Sequence, residues 1–108
     1  MDSEAVATPG TPVVALTEDE IRRELAGVPA WQREGDRLVR EFAFANFDRT
    51  MAFVNAMAWV AHAEDHHPDL WVSYARCRVE YSTHDCNGLS QRDFNCARQF
   101  DQLYARSA

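Results

Sequence analysis

All four histidines of this 108-residue chain fall between His62 and His84. Three of them lie in two short polar runs. The first reads Glu64-Asp65-His66-His67-Pro68-Asp69; the second reads Thr83-His84-Asp85-Cys86-Asn87-Gly88-Leu89-Ser90 and closes at Asp93. Imidazole titrates near neutrality, with an unperturbed pKa of ~6.5. Three histidines at one pocket could therefore give and take protons without a metal or a nucleophile. Pro68 disfavours helical backbone angles at His67, so a helix carrying the pair is predicted to end near His66 or His67 and to face a turn. A helix C-terminus favours positive charge, which suits a protonated His66 acting as an acid. Asp93 has two readings. It is a charge that suits the first turn of a following helix, or a carboxylate that orients a histidine. Trp71 could stack on a planar ring, although a strand aromatic more often packs. A metal reading competes, because His62 and His66 stand at i, i+4 and His67, His84 or Asp85 could complete a set. It lacks the glutamate of His-Glu-x-x-His and any paired-cysteine spacing.

The combined pattern is ordered and long. His66-His67-Pro68-Asp69 is followed by a strand-like run with Trp71, Val72, Tyr74, Val79 and Tyr81, then by Thr83-His84-Asp85-x-x-Gly88-Leu89-Ser90-x-x-Asp93. It resembles the pterin-4a-carbinolamine dehydratases, most densely from about Ala61 to Leu103 and more weakly back to about Thr17. The resemblance implies a hydro-lyase that dehydrates 4a-hydroxytetrahydropterins to quinonoid dihydropterin and so supports tetrahydropterin recycling beside a pterin-dependent hydroxylase. It places His66, His67 and His84 in the site, with His66 and His84 as acid and base and His67 binding the pterin; Trp71, Asp85 and Asp93 are further substrate-binding candidates. It implies no cofactor and no metal. The common family form has Glu or Gln four residues before the histidine pair, where this chain has His62. Members of the family can also act as dimerisation cofactors of a transcription factor, which is the alternative, non-enzymatic reading.

The elements that must hold these residues follow from capping signals and periodicity. Residues 1–16 read as a flexible arm and residues 17–108 as one domain. Thr17-x-x-Glu20 is a capping-box spacing that opens a first helix, with Ile21, Leu25 and Val28 as its buried stripe and Gly27 and Pro29 at its end. Glu34-Gly35-Asp36 is a hairpin turn between strands at about 30–34 and 37–45. In the second strand Leu38, Arg40, Phe42 and Phe44 share the core face, and Arg40 interrupts it. Asn46 caps a second helix that runs to about Asp65, with Phe47, Met51, Val54, Met57, Ala58 and Ala61 as the expected core stripe. Its other side carries Ala52, Phe53, Ala56, Trp59 and Val60 and needs a second cover. In residues 70–83 the apolar parity shifts near Ala75, which means a bulge in one strand or a break between two; the resemblance implies two. Asn87-Gly88 turns the site loop, and Ser90 caps a third helix to about Arg106 with Cys96, Ala97, Phe100, Leu103 and Tyr104 on its stripe. The expected fold is α+β in the order α-β-β-α-β-β-α, an antiparallel sheet of about four strands with three helices on one face.

Composition narrows the function classes. A net charge of −6 and the absence of a basic run argue against binding a phosphate backbone. No apolar run is long enough for a membrane span, and the N-terminus lacks a signal pattern, so a cytoplasmic protein is the default expectation. Three cysteines cannot all pair within one chain, and Cys77, Cys86 and Cys96 read as free thiols. The second apolar side of the central helix, together with the multimeric habit of the resembling family, predicts a homo-oligomer, dimer or tetramer.

Overall fold

The computed structural model describes residues 13–107. Its elements run α1 (Glu18–Ala26), β1 (Gln32–Glu34), β2 (Arg37–Ala43), α2 (Phe47–Glu64), β3 (Asp69–Val72), β4 (Arg76–Tyr81), a short 3-10 turn (His84–Cys86) and α3 (Gln91–Ser107). The sheet order is β1-β2-β4-β3, antiparallel throughout. This is the α+β architecture expected from the capping and periodicity signals. Most of the arm expected at 1–16 lies outside the described residues. Of its last part, the Leu16 amide donates to the Leu89 carbonyl at 2.8 Å, and the Leu16 side chain packs on the core.

The local signals act as physical chemistry requires. Thr17 and Glu20 exchange reciprocal bonds, Thr17 N–H to Glu20 Oε1 at 2.8 Å and Glu20 N–H to Thr17 Oγ1 at 3.2 Å. Asn46 Oδ1 accepts from the Arg49 amide at 2.9 Å. Gly35 takes the left-handed backbone (φ 62°) that the β1–β2 turn demands. Two strands separated at 73–75 resolve the parity shift near Ala75: Val72 pairs with Cys77 and Leu70 with Val79, so both sides of the break present apolar residues to one face.

That face meets the helices. Leu38, Phe42, Cys77, Val79 and Tyr81 are buried against Phe53, Met57, Phe94, Ala97 and Phe100. Arg40 belongs to the same face and is accommodated by Asp101, which accepts from Arg40 Nη1 at 2.6 Å and from Trp31 Nε1 at 2.7 Å. The guanidinium also lies 4.3 Å from the Phe42 ring centroid and 4.9 Å from that of Tyr104. The other face is a lattice of charge, with Glu80 bonded to Arg37 and Arg78, and Arg78 also to Glu34.

The stripe expected on α2 needs correction. Its buried residues are Thr50, Phe53, Met57 and Ala61, whereas Phe47 is half exposed and Ala58 exposed. Phe53, placed on the opposite side from the sequence, sits in the aromatic core with Phe42, Phe44 and Tyr104. The helix is apolar on several sides, so periodicity alone does not fix its rotation. The polar Thr50 enters the core because its hydroxyl lies 2.9 Å from each of the Asn46 and Tyr74 carbonyls, and its one proton is shared between them.

Candidate active site

The end of α2 shapes the site. Asp65 follows the last helical residue in the left-handed conformation (φ 51°, ψ 42°), and its amide bonds back to the Ala61 and His62 carbonyls. The His66 amide also donates to Ala61 O, at 3.1 Å. The chain therefore leaves the helix by a tight cap and Pro68 keeps it from continuing. His66 is turned inward and buried, while His67 remains exposed. His62 and His66 thus do not share a helix face. The His62 ring lies on the exposed side with Trp59, 6.3 Å between centroids. Among the described residues no group of three His, Cys, Asp or Glu side chains is placed to hold a metal ion.

His66 is held on three sides. Its Nε2 lies 2.6 Å from Oδ1 of Asp93, a residue with no solvent exposure. Asp93 Oδ2 accepts from the Thr83 hydroxyl at 2.8 Å and the Ser90 amide at 2.9 Å. With donors on Oδ2 and a ring nitrogen on Oδ1, Asp93 acts as an acceptor-only carboxylate, and His66 Nε2–H is the donor. The ring stacks on Tyr81 with 4.8 Å between centroids. The Tyr81 hydroxyl donates to His66 O at 2.9 Å. Burial raises the Tyr81 phenol far above its ordinary value, so it stays neutral and serves as a wall and a donor. Both readings of Asp93 are therefore realised in one side chain: Oδ2 caps the start of α3 and Oδ1 holds the histidine.

The second run is folded by its own turn. Thr83 and Gly88 pair across the loop, and Asn87 adopts a left-handed conformation (φ 53°). Thr83 is buried, and its hydroxyl also meets Ser90 Oγ at 2.7 Å. His84 and Asp85, next along, are exposed. Cys86 is half-buried, with its thiol directed to the carbonyls of Thr83 and Gly88. Cys77 and Cys96 are buried in the core, where burial pushes each thiol up to about 11, so both remain protonated at neutral pH.

Asp65, His66, His67, Ser82, Thr83, His84, Asp85 and Arg92 together line one open cleft of about 240 Å³. It gathers His66, His67, His84 and Asp85 from the sequence candidates. Two candidates stand elsewhere. Trp71 lies in β3 opposite Arg78, half exposed on the face away from the helices and outside the cleft lining. Asp93 is wholly buried behind His66 and offers no surface to a ligand. Sequence reasoning missed Arg92, whose side chain joins the cleft from the first turn of α3. A lone arginine in a helical stretch carries no signal of its own.

Known proteins resemble this chain in sequence and in fold. The family model described as pterin 4 alpha carbinolamine dehydratase matches residues 14–103. A Nitrosospira multiformis protein named "putative pterin-4-alpha-carbinolamine dehydratase" is 47% identical over 89 residues, 82% of this chain and 79% of its own length. A Xanthomonas euvesicatoria protein of the same name is 54% identical over 91 residues, 82% of this chain and 77% of its own. A crystal structure described as a transcriptional coactivator/pterin dehydratase from Brucella melitensis superposes with a TM-score of 0.81 at 30% identity, covering 83% of this chain and 98% of that one. With the histidine cleft, its αL-capped helix and the sheet order all in place, the match over 14–103 settles the lineage: the chain belongs to the pterin-4a-carbinolamine dehydratase family.

Proposed function

We propose that this protein dehydrates 4a-hydroxytetrahydropterins, with His66 and His84 dividing the two proton transfers and His67 binding the pterin. The observation that carries the reading is the convergence of the three histidines on one cleft, one of them fixed by a buried carboxylate. In the reaction the C4a–O bond breaks and the oxygen leaves as water, taking a proton from an acid. The N5–H proton passes to a base, and its electron pair forms the C4a=N5 bond of the quinonoid product. No electrons are exchanged with a second substrate. Each proton transfer by a positioned group is typically worth ~10²–10⁴-fold in rate.

His66 suits one of these roles because its geometry is predetermined. Asp93 holds Nε2–H and Tyr81 holds the ring plane, which leaves Nδ1 as the nitrogen available for exchange; the same logic orients histidine in other acid–base sites. His84 joins the same cleft from the 3-10 turn, and its exposure lets it trade protons with solvent between turnovers. Asp85 is the carboxylate beside it for the donor edge of a pterin ring.

The direct test supplies freshly generated 4a-carbinolamine and follows its dehydration spectroscopically. The expected result is an acceleration over buffer that a chelator leaves unchanged. A rate equal to buffer would refute the proposal. The Brucella protein's description also names a coactivator. A partner role in this chain would persist in a His84→Ala form, whereas the enzymatic role would not.

A further inference from the structure

We infer that Arg92 is a positioning residue for this site, the strut that holds the Asp65–His66–His67 turn in its productive form. The inference rests on the dehydratase reading for its kinetic consequence but not for its structural one. Arg92 Nη2 donates to the Asp65 carbonyl at 3.1 Å. Asp65 is the left-handed residue that ends α2, a backbone that costs any side-chain-bearing residue some energy, though Asp less than most, so contacts that hold it there matter. The Asp65 amide is tied back to α2, and its carbonyl is tied forward to α3 by Arg92. The peptide that leads into His66 is thus clamped from both ends.

The clamp has a second anchor one residue along. Asp93 takes His66 through its side chain, while Arg92 takes the backbone just before it. Consecutive residues of α3 therefore set the ring and the turn of the histidine pair. The Arg92 amide in turn donates to Ser90 Oγ at 3.2 Å, which joins it to the Thr83–Ser90–Asp93 network. Among the described residues no carboxylate lies within ion-pair distance of the Arg92 guanidinium, so its partner in the site is the turn itself. Loss of the strut shifts the backbone of His66, of which the ring alone stays tied to Asp93.

The test replaces Arg92 with methionine, glutamine and lysine in the full chain. Misplacing a reacting group by ~1 Å can cost ~10²-fold. Arg92→Met and Arg92→Gln should accordingly lower kcat by about 10- to 100-fold while KM moves less than about threefold. Arg92→Lys, which keeps a donor, should recover part of the loss. In the free protein, the imidazole NMR resonances of His66 and His67 should shift in Arg92→Met and Arg92→Gln and return toward wild type in Arg92→Lys. Unmoved histidine resonances would overturn the inference, as would a loss confined to KM, which would make Arg92 a substrate contact. A wild type without dehydratase activity would sink the proposed function yet leave the NMR comparison to decide on Arg92.

Discussion

At the scale of single residues, the histidine cleft was the most legible part of the molecule. Imidazoles are few and their chemistry is specific, so His66, His67 and His84 could be named from spacing and family likeness. Asp93 was legible as a charge but not in its double duty, because the pairing with His66 spans 27 residues of sequence. Arg92, Thr83 and Tyr81 were invisible as site residues for the same reason: their roles exist only once α3 and β4 meet the end of α2. Trp71 stands outside the cleft lining, since stacking capacity says nothing about which sheet face a residue takes. Asp93→Asn should lower turnover by about 10- to 10³-fold, less than or equal to the loss on removing His66, because Asp93 acts only through that ring. Stopped-flow rates beside circular dichroism would separate this from unfolding. His62→Glu is expected to be tolerated, since the side chain is exposed and outside the cleft lining. Its unfolding free energy should stay within about 0.5 kcal/mol of wild type, and any effect should fall on substrate affinity.

At the scale of elements, caps and turns were readable because each depends on neighbours in sequence: Thr17, Asn46 and Gly35 do locally what their chemistry dictates. The rotation of α2 was not, because an evenly apolar helix offers several equivalent stripes and only tertiary packing chooses Thr50, Phe53, Met57 and Ala61. The open sheet face carries its own testable energetics. Glu80 is desolvated, which alone would raise its carboxyl. Hydrogen bonds from Arg78 and Arg37 outweigh that and hold it below its ordinary 4.5. A carboxylate with a depressed folded-state pKa stabilises the fold above its unfolded pKa. That contribution is lost as the pH falls through the lower, folded value. Both arginines are well exposed, so the contribution is screened to about 1 kcal/mol or less. Urea unfolding of Glu80→Gln should show a deficit against wild type near neutral pH that shrinks to nothing in strong acid. A deficit that is equal at both extremes would contradict the ion-pair account.

At the scale of the whole molecule, one surface is left without a cover in the single chain. Along α2, Ala52, Ala58, Trp59 and Ala63 are exposed, with Trp59 at 74%. The core lies on the other side of the helix, so a second copy is the expected cover, and light scattering should report a homo-oligomer. Trp59→Asp should lower its mass without unfolding it. Val60, which the sequence places on the same side as Trp59, packs against the core, and Val60→Asp would disturb the fold instead. A monomeric wild type would remove this part of the account. No helix among the described residues is long and apolar enough to cross a membrane. The central claim is that two of the clustered histidines carry the proton transfers of a pterin dehydration. It is tested most directly by the dehydration rate of freshly formed 4a-carbinolamine with wild type, His66→Ala and His84→Ala side by side. Each variant should retain its fold and lose about one to four orders of magnitude in rate. Wild-type rates in both variants would contradict the account.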